Sequence, residues 1–269
     1  MIIAVDTGGT KTLIASFDDR GNKEIITKFP TPRDKQEYID AVVTHIRDHV
    51  AETTLTAISI AAPGPIKHGV LLRTPNIGWQ NFDVPREIGQ HFPGTPIFFG
   101  NDADMAAVGE ARQLPEHELS LYITMSTGVG TGLTYNQRLL PALERFEGGS
   151  MRVNYDGSLQ RWEDIASGRK FYERYGKYGS EIDDPVVWDD YAERAAVGFQ
   201  LLIPLIEPDY IVVGGSMGTH FAKYAAKLQA LLEERIAKHM APVKIIQANN
   251  PEEAVVDGCY YYAVDQLAS

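Results

Sequence analysis

Ile2-Ile3-Ala4-Val5-Asp6-Thr7-Gly8-Gly9-Thr10-Lys11-Thr12-Leu13-Ile14-Ala15-Ser16-Phe17 decides how the rest of the chain is read. An apolar, β-rich run meets a Gly-Gly pair and leaves again as a second run of strand type, which is a hairpin signal. The tip holds a carboxylate, two hydroxyls and several unobstructed backbone N–H groups. Such a tip can cradle phosphate oxygens, because Gly lets the backbone approach and successive N–H groups form an anion-binding nest. A plain tight hairpin is the bland alternative.

The device recurs at Leu121-Tyr122-Ile123-Thr124-Met125-Ser126-Thr127-Gly128-Val129-Gly130-Thr131-Gly132-Leu133-Thr134-Tyr135. Two such hairpins, each opening a block of alternating strands and helices, suggest two related α/β halves facing one phosphate chain. The Gly-x-Gly-x-Gly of the second turn runs into a strand, so it is a poor dinucleotide fingerprint. Neither turn has the spacing of a P-loop.

Asp6-Thr-Gly-Gly-Thr-Lys11, Pro63-Gly-Pro65, Pro75-Asn76, Asn101-Asp102-Ala103, Ser126-Thr-Gly-Val-Gly-Thr-Gly132 and Gly214-Gly215-Ser216 follow one another in order and spacing. The set resembles the ROK family of sugar kinases, within the actin/hexokinase/Hsp70-like ATPase superfamily, over nearly the whole chain. The resemblance implies two ribonuclease-H-like α/β lobes around a central cleft, with the last helix packed back on the first lobe. The expected division is 1–116 plus 252–269 for one lobe and 117–251 for the other. A homodimer is implied as well.

The 269 residues provide for ample core, and the apolar and charged shares, 44 % and 23 %, are those of an ordinary globular protein. A net charge of −11 opposes nucleic acid as the main partner, because phosphate backbones want clustered Lys and Arg. No run approaches the ~18 apolar residues that span a membrane, and residues 1–6 lack the pattern of a signal sequence. The single Cys259 excludes an internal disulfide and fits a reducing cytosol. Its apolar helical surroundings read as an inert core site.

Along the chain, Lys23 to Phe29 reads as a strand and Asp34 to Val50 as a helix, with Ile39, Val42, Val43 and Ile46 at helical spacing. Leu55 to Ala61, Val70 to Arg73 and Pro96 to Phe99 read as strands, and Pro85 to Phe92 and Met105 to Arg112 as helices. Leu139 to Tyr155 lacks periodicity. Helices are expected over Trp162 to Tyr175, Asp189 to Ile206, Phe221 to Met240 and Glu252 to Leu267, and strands over Pro208 to Val213 and Val243 to Gln247.

Phosphoryl transfer to a sugar hydroxyl needs a phosphate cradle with Mg²⁺, a group that takes the hydroxyl proton and a water-poor site. Asp6 is the candidate Mg²⁺ holder, directly or through water, since Mg²⁺ prefers few carboxylates; a turn-capping Asp is the alternative. Gly8, Gly9, Thr10, Lys11, Thr127 and Gly128 are the candidate phosphate contacts, although Lys11 could equally be a solvated strand residue. Gly214 and Gly215 would let a flat base approach the backbone, or simply form a turn. Asn101 and Asp102 stand beyond a strand end, where sites in α/β sheets lie. The resemblance makes Asp102 the base. The bland alternative is a helix cap, a role Asp104 could share.

The resemblance also implies Asn76, Asn101, Asp102, Glu147 and Glu163 as sugar ligands. Here the chain departs from the family pattern. Ser150 stands where the family's Glu-x-Gly-His motif has His, and Asn154 to Arg161 has neither Cys nor His. No Cys or His occurs from 118 to 219, so no zinc site is expected there. Packing around Trp162 and Tyr155 must hold that segment. His45 and His49, four apart, read as a solvated face, and His68 is a lesser sugar candidate.

The leading expectation is a cytosolic, Mg²⁺-dependent hexose kinase using ATP. Polyphosphate as donor, an N-acetylhexosamine as acceptor, a degenerate pseudokinase and a non-catalytic sugar sensor are the alternatives. The sensor is opposed by acidity and by a chain that begins at the phosphate hairpin.

Overall fold

A computed structural model describes residues 1–50, 54–74, 76–237, 240–251 and 253–268. Two compact units emerge, Met1–Arg112 with Glu253–Ser269 and Gln113–Glu252. Pro75, Lys238, His239 and Glu252, on which parts of the expectations fall, lie outside the described residues.

In the first unit β1 (Ile2–Thr7), β2 (Lys11–Phe17) and β3 (Lys23–Pro30) form an antiparallel meander, followed by α1 (Lys35–Val50) and β4 (Ala57–Ala62). A small sheet of β5 (Ile66–Lys67), β6 (Val70–Arg73) and β7 (Gln80–Phe82) comes next, then α2 (Val84–Gly89), β8 (Ile97–Asn101) and α3 (Asp102–Ala111). The main sheet runs β3-β2-β1-β4-β8, with β4 parallel to both β1 and β8.

Strand alternation sorts its core. Ile3 and Val5 point to one face and pack with Tyr38, Val42 and Ile46 of α1. Ala4 points to the other, with Met105 of α3 and Val256 and Cys259 of the last helix. Asp6 follows Ala4 on that second face, towards α3.

The second unit repeats the order. Its strands are β9 (Leu119–Met125), β10 (Val129–Tyr135), β11 (Arg138–Leu139), the hairpin β12 (Arg152–Tyr155) and β13 (Ser158–Arg161), β14 (Tyr210–Gly214) and β15 (Lys244–Gln247). Its helices are α4 (Glu163–Ala166), α5 (Gly168–Tyr175), α6 (Pro185–Ile206), α7 (Gly215–Gly218) and α8 (Ala225–Arg235). The sheet runs β11-β10-β9-β14-β15, again antiparallel, antiparallel, parallel, parallel. Its core is aromatic: Trp162, Trp188, Tyr191, Phe199 and Tyr224 are almost fully buried. No helix among the described residues is long and apolar enough to cross a membrane.

The last helix, α9 (Ala254–Leu267), belongs to the first unit and lies against α3. Two glycines let the backbones touch. A Cβ on Gly109 would stand 2.3 Å from the Ala254 carbonyl oxygen, and one on Gly258 1.6 Å from that of Met105.

Three helical expectations need correction. Trp162 to Tyr175 is two helices, because the Ser167 side chain accepts the Lys170 N–H at 3.3 Å and starts a new one. Phe221 to Met240 is not one long helix: Phe221–Lys223 is a 3₁₀ turn, and α8 ends at Arg235. Pro85 to Phe92 closes early, at Gly89. The stretch read as aperiodic contains 3₁₀ turns and β12.

Candidate active site

Both hairpins form as the Gly-rich turns predict. In the first, Thr7 pairs with Thr12 and the Gly8 N–H donates to the Lys11 carbonyl at 2.9 Å. Thr31 closes the tip from behind, its hydroxyl donating to the Gly8 carbonyl at 2.8 Å and its N–H to that of Thr10 at 3.1 Å. Thr10 and Lys11 remain exposed. In the second, Met125 pairs with Val129 and the Ser126 N–H donates to the Gly128 carbonyl at 2.9 Å. Thr127 is exposed at the tip.

Asn76 lies against the first tip: a Cβ on Gly9 would meet its side chain at 3.2 Å. Thr74 organises that loop by accepting the N–H groups of Gly78 and Trp79 at 3.1 and 2.9 Å. Trp79 is buried, and its indole N–H donates to the Arg33 carbonyl at 2.7 Å. Its ring packs on Tyr38, whose hydroxyl lies 2.7 Å from that of Thr7. A buried polar and aromatic chain thus ties the loop of Asn76 to the strand that carries the tip.

Asp102 opens α3, beyond the end of β8. The cap is Asn101, not Asp102 or Asp104: its Oδ1 accepts the Ala103 N–H at 2.8 Å while its amide donates to the Gly64 carbonyl at 3.1 Å. Asp102 Oδ1 accepts the same N–H at 2.9 Å. Asp104 is buried inside the helix. Gly64 is in a region closed to side chains, at φ 119°, where a Cβ would collide with the Arg73 carbonyl oxygen at 2.2 Å.

Asp102 acts on the buried Asp6. Burial pushes the Asp6 carboxyl up to about 7, the negative charge of Asp102 pushes the same way, and Lys28 opposes both. Lys28 is a cation that sequence reading missed. Its place follows only from register: Asp6 pairs with Leu13, and Leu13 with Lys28. Two neighbouring carboxylates, one of them holding its proton near neutrality, suit a divalent cation.

In the second unit a cavity of about 490 Å³ is lined by residues that include Ser126, Gly168, Tyr178, Gly215, Met217 and His220. Gly215 is at φ 75°, and a Cβ there would meet the Ser126 hydroxyl at 2.5 Å. The Ser216 N–H donates to that hydroxyl at 3.0 Å, which joins the Gly214-Gly215 turn to the second hairpin. Sequence reading found the glycines but missed Ser126, Tyr178 and the partly buried His220, because their segments converge only in the fold.

The Glu163 carboxylate reaches the turn of the second hairpin, since a Cβ on Gly128 would stand 2.7 Å from its Oε2. Its other oxygen pairs with Arg161 at 2.6 Å. Glu147 is exposed at the start of a 3₁₀ turn, Gly148–Ser150. The Thr131 hydroxyl holds that turn, accepting the Gly148 N–H at 2.9 Å and donating to the Phe146 carbonyl at 2.8 Å.

The β12–β13 hairpin is held by packing. Trp162 is buried, with its indole N–H on the Arg194 carbonyl at 3.3 Å. The Arg194 guanidinium lies over Tyr155 and pairs with Asp190 at 3.0 Å. His45 and His49 are not the solvated pair expected: His45 packs on Phe29, and His49 hydrogen-bonds Ser16 at 3.0 Å. His68 is at a turn, at φ 51°.

A fructokinase of Lactococcus lactis subsp. cremoris is 28 % identical over 241 residues, covering 80 % of this chain and 78 % of that protein. A glucokinase of Streptomyces coelicolor is 27 % identical over 262 residues, covering 81 % and 82 %. Among solved structures, a ROK family glucokinase from Streptomyces griseus in complex with glucose and AMPPNP superposes with a TM-score of 0.80. It is 24 % identical and covers 98 % of this chain and 99 % of that one. The twice-used sheet order is therefore that of two actin-like ATPase lobes. The ROK family model matches residues 2–266, and the chain belongs to the ROK family.

Proposed function

We propose that this protein is a Mg²⁺-dependent kinase that moves the terminal phosphoryl group of ATP to a hexose such as glucose, at the 6-hydroxyl. The observation that carries the reading is Asp102 at the start of α3, with Asn101 beside it bonded on both sides and its own charge felt by the buried Asp6.

Asp102 accepts the proton of the attacking hydroxyl. A weak base is sufficient, because the transition state is loose and positioning dominates. Asn101, with its cap bond and its bond to Gly64, fixes the strand-to-helix corner, so that the carboxylate starts in place. Asn76, Asn101, Asp102, Glu147 and Glu163 are assigned to the sugar, whose hydroxyls want amides and carboxylates. The Gly8–Lys11 and Thr127–Gly128 tips take phosphate oxygens, and the Gly214-Gly215 turn takes the nucleoside. Asp6 would hold Mg²⁺, whose charge neutralises donor phosphates when bound. The acidic chain and its lone buried Cys259 fit a cytosolic enzyme, and the family implies a homodimer. No residue is assigned to zinc.

The reading is tested by phosphoryl transfer with Mg²⁺ over glucose, mannose, fructose, N-acetylglucosamine and N-acetylmannosamine, each with ATP and with inorganic polyphosphate. Turnover of a hexose with ATP is expected. Turnover with polyphosphate alone would move the donor assignment. No turnover with any pair, by a folded protein that still binds a sugar, would make it a sensor.

A further inference from the structure

Tyr178 is 63 % exposed at the wall of the second-unit cavity, yet its position is fixed. Gly176 ends α5 in the left-handed conformation, at φ 68°, and turns the chain towards the cavity. The Tyr178 N–H donates to the Glu181 carboxylate at 2.7 Å. Gly179 follows because the His220 ring fills the place of its side chain, 2.6 Å from a would-be Cβ. The Tyr178 ring is backed by that of Tyr172, with centroids 4.6 Å apart and planes 31° apart. An aromatic ring supported from behind, at a cavity wall, is a platform for a flat ligand. Other walls of the same cavity hold Ser126 and Gly168, and Ser126 leads into the Thr127–Gly128 tip assigned to phosphate. A cavity with a ring at one wall and Ser126, the residue before that tip, at another fits a molecule that is flat at one end and polyanionic at the other.

We propose that Tyr178 is the donor-base contact, the heterocycle of a nucleoside polyphosphate stacking on its ring while Tyr172 supports it. The proposal rests on the kinase reading and deepens it, for it makes Tyr178 the residue that favours a nucleotide over a donor without a base. Stacking is tolerant of base identity, since every base has a π-face. ATP and GTP should therefore depend on Tyr178 alike.

The test compares the intact protein with Tyr178→Ala, Tyr178→Phe and Tyr172→Ala, in kinetics with ATP, GTP and polyphosphate and in calorimetric titration with ADP. Tyr178→Ala is expected to raise the KM for ATP and GTP roughly ten-fold or more and to weaken ADP binding in proportion. It should leave kcat, the sugar KM and any use of polyphosphate within about two-fold. Tyr178→Phe should behave as the wild type, and Tyr172→Ala should give a smaller rise. An ATP KM and ADP affinity unchanged within about two-fold in Tyr178→Ala would overturn the proposal, as would loss of polyphosphate use to the same degree. If the wild type turned over no sugar, the kinase reading would fail while the ADP titration still decided the stack. Wild-type protein that bound no ADP would overturn it.

Discussion

Asp6 is placed by strand alternation on the α3 face of the first sheet, where Asp102 begins the helix. Burial and that neighbour push its carboxyl up to about 7. The consequence has a definite sign. Between about pH 4 and pH 7 the folded, metal-free protein keeps the Asp6 proton that the unfolded chain has lost. The folded state binds more protons there, so stability falls as pH rises through this window. Urea unfolding in EDTA at a series of pH values should show the decline, and Asp6→Asn should flatten it; parallel profiles would contradict the account. Cys259 gives a second residue-scale test. It is buried against the Val5 carbonyl, and burial drives its thiol far above the ordinary range. A thiol reagent should label it only on unfolding, with a rate that follows urea concentration. Rapid labelling of the native protein would show that this part of the core is open.

At the scale of elements, α3 and α9 depend on contact between backbones. Gly258→Ala sets a methyl group 1.6 Å from the Met105 carbonyl oxygen, and no rotamer relieves a backbone clash. The expected loss is about 1–3 kcal/mol or more, read as a fall in the urea midpoint. A neutral result would mean that α9 packs otherwise. Trp162→Ala should cost about 3–5 kcal/mol, because it empties a fully buried site beneath the β12–β13 hairpin. The two glycine-rich hairpins were legible because Gly and Thr mark a turn between β-rich runs, and α1 because its apolar residues keep a 3.6 period. The break at Ser167 was not, since a serine between two helical runs announces a cap only once its side chain is seen to accept an N–H. Asn101 as the cap of α3 was missed for a related reason: three polar residues, Asn101, Asp102 and Asp104, could each have served. The pairing of β12 with β13 was hidden by short strands around Asp156-Gly157, and the start of α8, within the helix expected there, by the 3₁₀ turn before it.

Over the whole molecule, two units repeat one sheet order, and each buries its own core. That doubling could be read from the two hairpins and the ordered motifs, because each motif sits at a strand end where a sheet delivers polar residues. Lys28 and the cavity wall of Tyr178 and His220 could not, because strand register and the meeting of distant segments are properties of the folded chain. The central claim is that Asp102 takes the proton of a sugar hydroxyl. The direct test is to measure kcat and sugar binding together, on the sugar the wild type turns over best, in Asp102→Ala and wild type. The account predicts a kcat lower by about 10²–10⁴-fold, with sugar affinity, read calorimetrically, changed far less. A variant that binds the sugar and turns it over at the wild-type rate would show that Asp102 is not the base.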